Sequence, residues 1–136
     1  MTEKRTTDSE SLSKASYVSI GQKVLQAEAK ALTAIAKDLG RNFHDAVGCI
    51  LECKGRLVVI GVGKSGHIGR KISATLASTG TPSFFVHAGE ASHGDVGMIV
   101  EQDIVLALSN SGETQELVVL IPVLKRLGIP LIAFTG

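Results

Sequence analysis

The chain has 136 residues, 44% hydrophobic and 20% charged, enough for one domain with a buried core. Fourteen Lys and Arg against thirteen Asp and Glu leave a formal charge of +1, which gives no basic footprint for nucleic acid. With no Trp and one Tyr there is no base-stacking platform, and no apolar run approaches the roughly 20 residues that span a bilayer.

Residues 1–16 are polar and Ser/Thr-rich, with no apolar h-region, and read as a disordered tail on a cytoplasmic protein. Ile20, Val24, Ala27, Ala31, Ile35 and Leu39 then recur every three or four residues, which predicts an amphipathic helix stopped at Gly40. Asn42 is a fitting N-cap for a second helix that presents Phe43, Val47, Ile50 and Leu51 and ends at Gly55. Cys49 and Cys53, the only cysteines, stand i, i+4 on it, a spacing that suits neighbouring packing better than a disulfide framework or a metal site.

From there the chain alternates. A strand is predicted over 57–62, a helix over 65–78, a strand over 83–86, and a loop with one short helical turn over 87–98. A strand over 104–108 precedes a helix over 113–127, which Pro122 should break near Ile121. A fourth strand spans 131–134. Continuous apolar strands separated by helices predict an α/β fold, a three-layer αβα sandwich around a parallel sheet. The fourth strand has no helix after it to cover it, which reads as a truncated chain. There is no internal repeat.

Two turns carry the chemistry. Gly61-Val62-Gly63-Lys64-Ser65-Gly66 follows the first strand, and Ser109-Asn110-Ser111-Gly112-Glu113-Thr114 follows the third. In a parallel sheet both fall outside the carboxyl ends of the strands, where ligands of open α/β folds sit. Glycines let the backbone approach a ligand, the next helix directs free N–H groups at an anion, and hydroxyls add neutral donors. The pair suggests one phosphate held by Ser and Thr.

Other readings fit less well. The first turn matches G-x-G-x-x-G, but the second strand ends Phe85-Val86-His87 with no acidic residue for a dinucleotide ribose. A nucleotide P-loop needs a glycine where Val58 stands. The second turn could simply cap its helix, through Ser111 with Thr114 or Asn110 with Glu113, yet one cap needs only one such residue. His87, His93 and Asp95 have no spacing that marks a metal site. Lys64 at a helix start opposes the helix dipole, which favours an anion beside it; Glu113 complements the dipole.

These residues resemble the SIS (sugar isomerase) domain family, and within it the arabinose-5-phosphate isomerase branch. The resemblance is carried by Gly61 to Gly69, by Ala77 to His87, by the Glu90 to Asp95 loop and by Ser109 to Thr114. It implies a flavodoxin-like SIS domain over 17–136, preceded in the chain by the tail. It implies interconversion of D-ribulose 5-phosphate and D-arabinose 5-phosphate through an enediol(ate) without a cofactor, in the synthesis of the lipopolysaccharide sugar Kdo. The resemblance assigns Gly63, Ser65, Ser109, Asn110, Ser111 and Thr114 to the phosphate, and Lys64, His93 and Glu113 to catalysis, with the base unassigned. It implies a homo-dimer or homo-tetramer, with no metal, nucleic-acid or membrane partner. Family members continue with further sheet, a glutamate and a histidine of the site, and usually two CBS modules, so activity of this span alone is not implied. Two alternatives stand beside this reading: a sugar-phosphate-binding regulatory module, or another sugar-phosphate isomerase, including the isomerase half of a hexosamine synthase. Few basic residues in the N-terminal helices disfavour a DNA-binding regulator.

Overall fold

The computed structural model describes residues 14–136. Helix α1 (Lys14–Asp38) lies in one compact unit that ends at Phe43; the sheet lies in a second, His44–Gly136. The tail expected over 1–16 falls outside the described residues except at 14–16, which are already helical. The apolar stripe of α1 forms as the periodicity predicts, but Val24, Leu25, Leu32 and Ile35 stay exposed.

Four parallel strands, β1 (Leu57–Gly61), β2 (Ser83–His87), β3 (Ile104–Ser109) and β4 (Leu131–Thr135), form one sheet in the order β2-β1-β3-β4. β1 is buried at all five positions because it is central and covered on both faces. Its side chains alternate between two cores. Val58 and Ile60 join Val105 and the helical residues Ala88, Ala91, Leu117 and Leu124 on one face. Leu57 and Val59 join Ile104, Leu106 and Leu108 on the other, against Ile50, Ile72 and Leu76. Helices on both faces complete the three-layer αβα sandwich that the sequence predicts.

The helices begin and end differently from the sequence reading at several points. α2 (Arg41–Glu52) starts before Asn42, because the break after α1 is only Leu39-Gly40; Asn42 is therefore inside the helix and not its cap. α3 (Gly63–Ser78) starts two residues earlier than predicted. The chain reverses at Gly63 itself, whose φ of +52° glycine adopts without strain, so Lys64 and Ser65 already stand in the first turn. The loop expected over 87–98 is mostly helical: α4 (Ala88–Ser92) and a 3-10 turn (Asp95–Met98). His87 caps α4 by accepting the Gly89 amide at Nδ1, 3.2 Å away, and Ala88 and Ala91 bury its inner face. The helix predicted over 113–127 is two pieces, α5 (Gln115–Val118) and α6 (Ile121–Arg126); the break expected near Ile121 falls at Val119-Leu120, and Pro122 sits in the first turn of α6, where its missing N–H costs no intrahelical bond.

α3 sits close to the sheet because two of its inward positions lack side chains. A Cβ at Gly66 would lie 3.3 Å from Gly61 O, and one at Gly69 would lie 3.0 Å from the Phe85 ring. That approach fixes where the first turn of α3, with Lys64 and Ser65, meets the strand tips.

The opposite edge of the sheet is clamped by a pair that the sequence does not advertise. Asp103 is 1% exposed. Its carboxylate accepts from the Arg56 amide at 2.8 Å, Arg56 Nε at 3.2 Å, Arg56 Nη2 at 2.8 Å and the Val100 amide at 3.0 Å. Arg56 also donates to Met98 O and lies over the Phe84 ring. Burial pushes the Asp103 carboxyl up, but the hydrogen bonds from the Arg56 side chain and from the Val100 and Arg56 amides outweigh it and hold it below the ordinary carboxylate range. Gly55 has no free space beside this clamp: a Cβ there would stand 2.6 Å from Asp103 Oδ1 and from the Gln102 carbonyl. Gly55→Ala is expected to destabilise the fold by about 2 kcal/mol, because backbone has to move; urea unfolding measures it, and an unchanged midpoint contradicts it.

Candidate functional site

The chain leaves β1 toward β2 on one side and leaves β3 toward β4 on the other. The carboxyl ends of β1 and β3 therefore form a topological switch point, where crossover connections diverge and leave a crevice. A cleft of about 350 Å³ opens there, lined by Lys64, Ser65 and Ile68 of α3, Leu108 and Asn110 at the end of β3, and the tip of β4. Residues from both sequence turns thus face one space. A second cavity, about 60 Å³ and lined mainly by Ile60, Val105, Leu117 and Leu124, lies in the apolar core and has little polar lining.

The first turn offers backbone donors. Val62 precedes α3 in an extended conformation and supplies no side-chain cap. The first amides of α3, at Gly63, Lys64 and Ser65, are those that an α-helix leaves without intrahelical partners. Ser65 is half-buried, while Lys64 is exposed at the mouth of the cleft. Gly63 is exposed, and nothing lies within 4 Å of where its Cβ would be.

The second turn is held by its own hydroxyls. Ser109 Oγ and Thr114 Oγ1 are 2.7 Å apart, and the Gly112 amide donates to Ser109 Oγ at 3.1 Å. The Glu113 amide donates to Ser111 Oγ at 3.2 Å. Gly112 closes the turn at φ +70°. The capping alternative is not what these side chains do, since Thr114 precedes α5 without a side-chain cap bond. One proton joins Ser109 to Thr114, so one of the two hydroxyls keeps a proton to donate elsewhere.

Not every candidate reaches the cleft wall. Lys64, Ser65 and Asn110 line it, while Ser109 and Thr114 form the hydroxyl pair at the root of the loop. Ser111 and Glu113 lie on the loop and do not line the cleft. His93 is exposed at the end of α4 and also lies outside the lining. α4 packs against α5, which puts the His93 helix beside the helix that follows the hydroxyl loop. His87, His93 and Asp95 form no metal-binding group; among the described residues no such cluster of His, Cys, Asp or Glu exists. No helix among the described residues is long and apolar enough to cross a membrane. Sequence reasoning missed Thr135 and Gly136, which line the cleft from β4; its only signal was that a strand tip belongs at this edge.

A parallel αβα sandwich with two donor-rich turns at its switch point places those turns where open α/β folds take their ligands. The chain matches the SIS domain over residues 50–136 and belongs to that family. It is 59% identical over 116 residues to arabinose 5-phosphate isomerase KdsD of Escherichia coli O157:H7, covering 85% of this chain and 35% of the relative. It is 56% identical over 120 residues to KdsD of Pseudomonas aeruginosa, covering 88% of this chain and 37% of the relative. Among solved structures, the c3406 protein of E. coli CFT073 in complex with arabinose 5-phosphate superposes with a TM-score of 0.85 at 44% identity, covering 90% of this chain and 65% of that one. The chain spans about a third of the length of the curated relatives it matches.

Proposed function

We propose that this chain is the sugar-phosphate-binding part of an arabinose-5-phosphate isomerase, with its SIS domain taking in 17–136. The observation that carries the reading is the cleft that Lys64 and Ser65 from one turn and Asn110 from the other line together. The KdsD relatives support the substrate. The lipopolysaccharide sugar Kdo is the product class that such an isomerase feeds.

In this reading the phosphate lies against the first amides of α3 and the hydroxyls of Ser65, Ser109, Ser111 and Thr114, with Gly63 giving close backbone access and Asn110 donating from the rim. The reacting carbons then face Lys64. A base removes the C2 proton of arabinose 5-phosphate. The electron pair moves to the C1 oxygen and makes an enediolate; the O2 hydroxyl proton passes to O1, and return of the abstracted proton to C1 leaves a carbonyl at C2, which is ribulose 5-phosphate. The electrons stay within the substrate, so the step needs no external oxidant. Lys64 stabilises the enediolate by charge, and Glu113 and His93 are the groups assigned to proton transfer, with the base unassigned between them.

The reading also takes the protein as a cytoplasmic homo-oligomer. The exposed apolar stripe of α1 supports self-association, and sedimentation equilibrium distinguishes a monomer from a dimer or tetramer.

The test is turnover followed by NMR, with arabinose 5-phosphate set against ribose 5-phosphate, glucose 6-phosphate and a heptulose phosphate. Conversion of arabinose 5-phosphate alone supports the reading; preference for another sugar phosphate moves the protein to a different isomerase class. Binding without turnover in the longest natural form of the protein favours the regulatory-module alternative. Ser111→Ala is expected to weaken sugar-phosphate binding roughly tenfold, the worth of one hydrogen bond to a charged group. Unchanged affinity in calorimetry removes Ser111 from the phosphate set.

A further inference from the structure

The tip of β4 reaches the cleft from the far side. β3 and β4 are in register with Ser109 opposite Thr135. One residue on, the Gly136 amide donates to the Asn110 carbonyl at 3.1 Å. Thr135 stands beside the second turn: its Cγ2 lies 3.4 Å from where a Cβ of Gly112 would stand. Asn110, Thr135 and Gly136 all line the cleft.

Position 136 has no room for a side chain. A Cβ there would lie 2.9 Å from Asn110 Oδ1 and 3.0 Å from Asn110 O. The carbonyl is backbone and is held by the Gly136 amide itself, so relief has to come from moving Asn110. Gly136 directly follows β4 and belongs to neither core cluster.

We propose that Gly136 is a positioning residue of the sugar-phosphate site, acting through Asn110. The inference rests on the phosphate-site reading above. Gly136 fixes the backbone of Asn110 by one hydrogen bond and leaves the space that the Asn110 amide group occupies at the rim. A side chain at 136 displaces Asn110, which lines the rim of the cleft.

Isothermal calorimetry with arabinose 5-phosphate tests it on wild type, Gly136→Ala, Asn110→Ala and the double variant, with thermal unfolding in parallel. Gly97→Ala, which meets nothing within 4 Å, is the control. Gly136→Ala is expected to weaken binding about tenfold with an unchanged unfolding midpoint. The double variant is expected to bind no more weakly than Asn110→Ala alone, because both changes act on one group. Wild-type affinity in Gly136→Ala overturns this inference alone, as do penalties that add in the double variant. A loss of affinity that tracks a fall in midpoint makes the role structural and also overturns it. A wild-type chain that binds neither arabinose 5-phosphate nor inorganic phosphate overturns the site reading together with this inference.

Discussion

Asp103→Ala is expected to lower the unfolding free energy by about 3 kcal/mol, the lower end for breaking a buried ion pair. The lower end applies because the Arg56 side chain is 42% exposed and regains water when its partner is lost. The larger part of the loss is local. The Val100 and Arg56 amides, which now donate to the carboxylate, lose their acceptor at the start of β3. Such a loss is a large fraction of the roughly 5–15 kcal/mol that holds a typical domain together. Chemical denaturation at neutral pH measures it, and a change below about 1 kcal/mol contradicts the role given to the clamp.

The same pair sets an acid limit. The Asp103 carboxyl is depressed in the folded state, so the unfolded chain binds the proton more readily. Its contribution is therefore fully present above the unfolded carboxylate value of about 4 and is lost as pH falls through the lower folded value. Wild type should lose more stability than Asp103→Asn across that acid range. Parallel pH curves for the two proteins contradict the assignment.

Lys64→Ala is expected to lower kcat/KM for arabinose 5-phosphate by about 10² to 10³, the range found when one group that stabilises developing negative charge is removed. Lys64 is exposed, lines the cleft and stands in the first turn of α3, where a cation is unfavourable unless an anion sits beside it. Its removal should therefore leave the unfolding midpoint unchanged or slightly raised. Glu113→Gln is expected to lower kcat by at least about 10² with KM little changed, as for loss of a proton carrier. The Glu113 amide, not its carboxylate, is tied to Ser111, so the turn should keep its shape in this variant. Wild-type turnover in either variant removes that residue from the catalytic set.

The legible part of the fold was the part governed by a single local rule. Leu57-Val58-Val59-Ile60 reads as a strand covered on both faces, and Pro122 rules out one continuous helix, since it fits only the first turn of one. The two turns were legible because Gly, Ser and Thr at strand ends answer to backbone geometry and donor count. The less legible part depends on distant partners. The stretch 87–98 is rich in small residues and reads as loop, but Ala88 and Ala91 become helical once they have the β1 and β3 side chains to pack on. Asp103 gave no pattern, since its meaning comes from Arg56, 47 residues earlier. Asn110 was legible as a polar loop residue; its stitch to Gly136 was not, because strand register joins them.

In the proposed site both turns grip one phosphate. Backbone amide shifts of the isotope-labelled protein, titrated with arabinose 5-phosphate and separately with arabinose, test it most directly. The phosphorylated sugar should move the amides of residues 63–66 and 109–114 together, with one dissociation constant, and arabinose should move neither set. Shifts at only one of the two turns, or equal shifts with the unphosphorylated sugar, would contradict the claim.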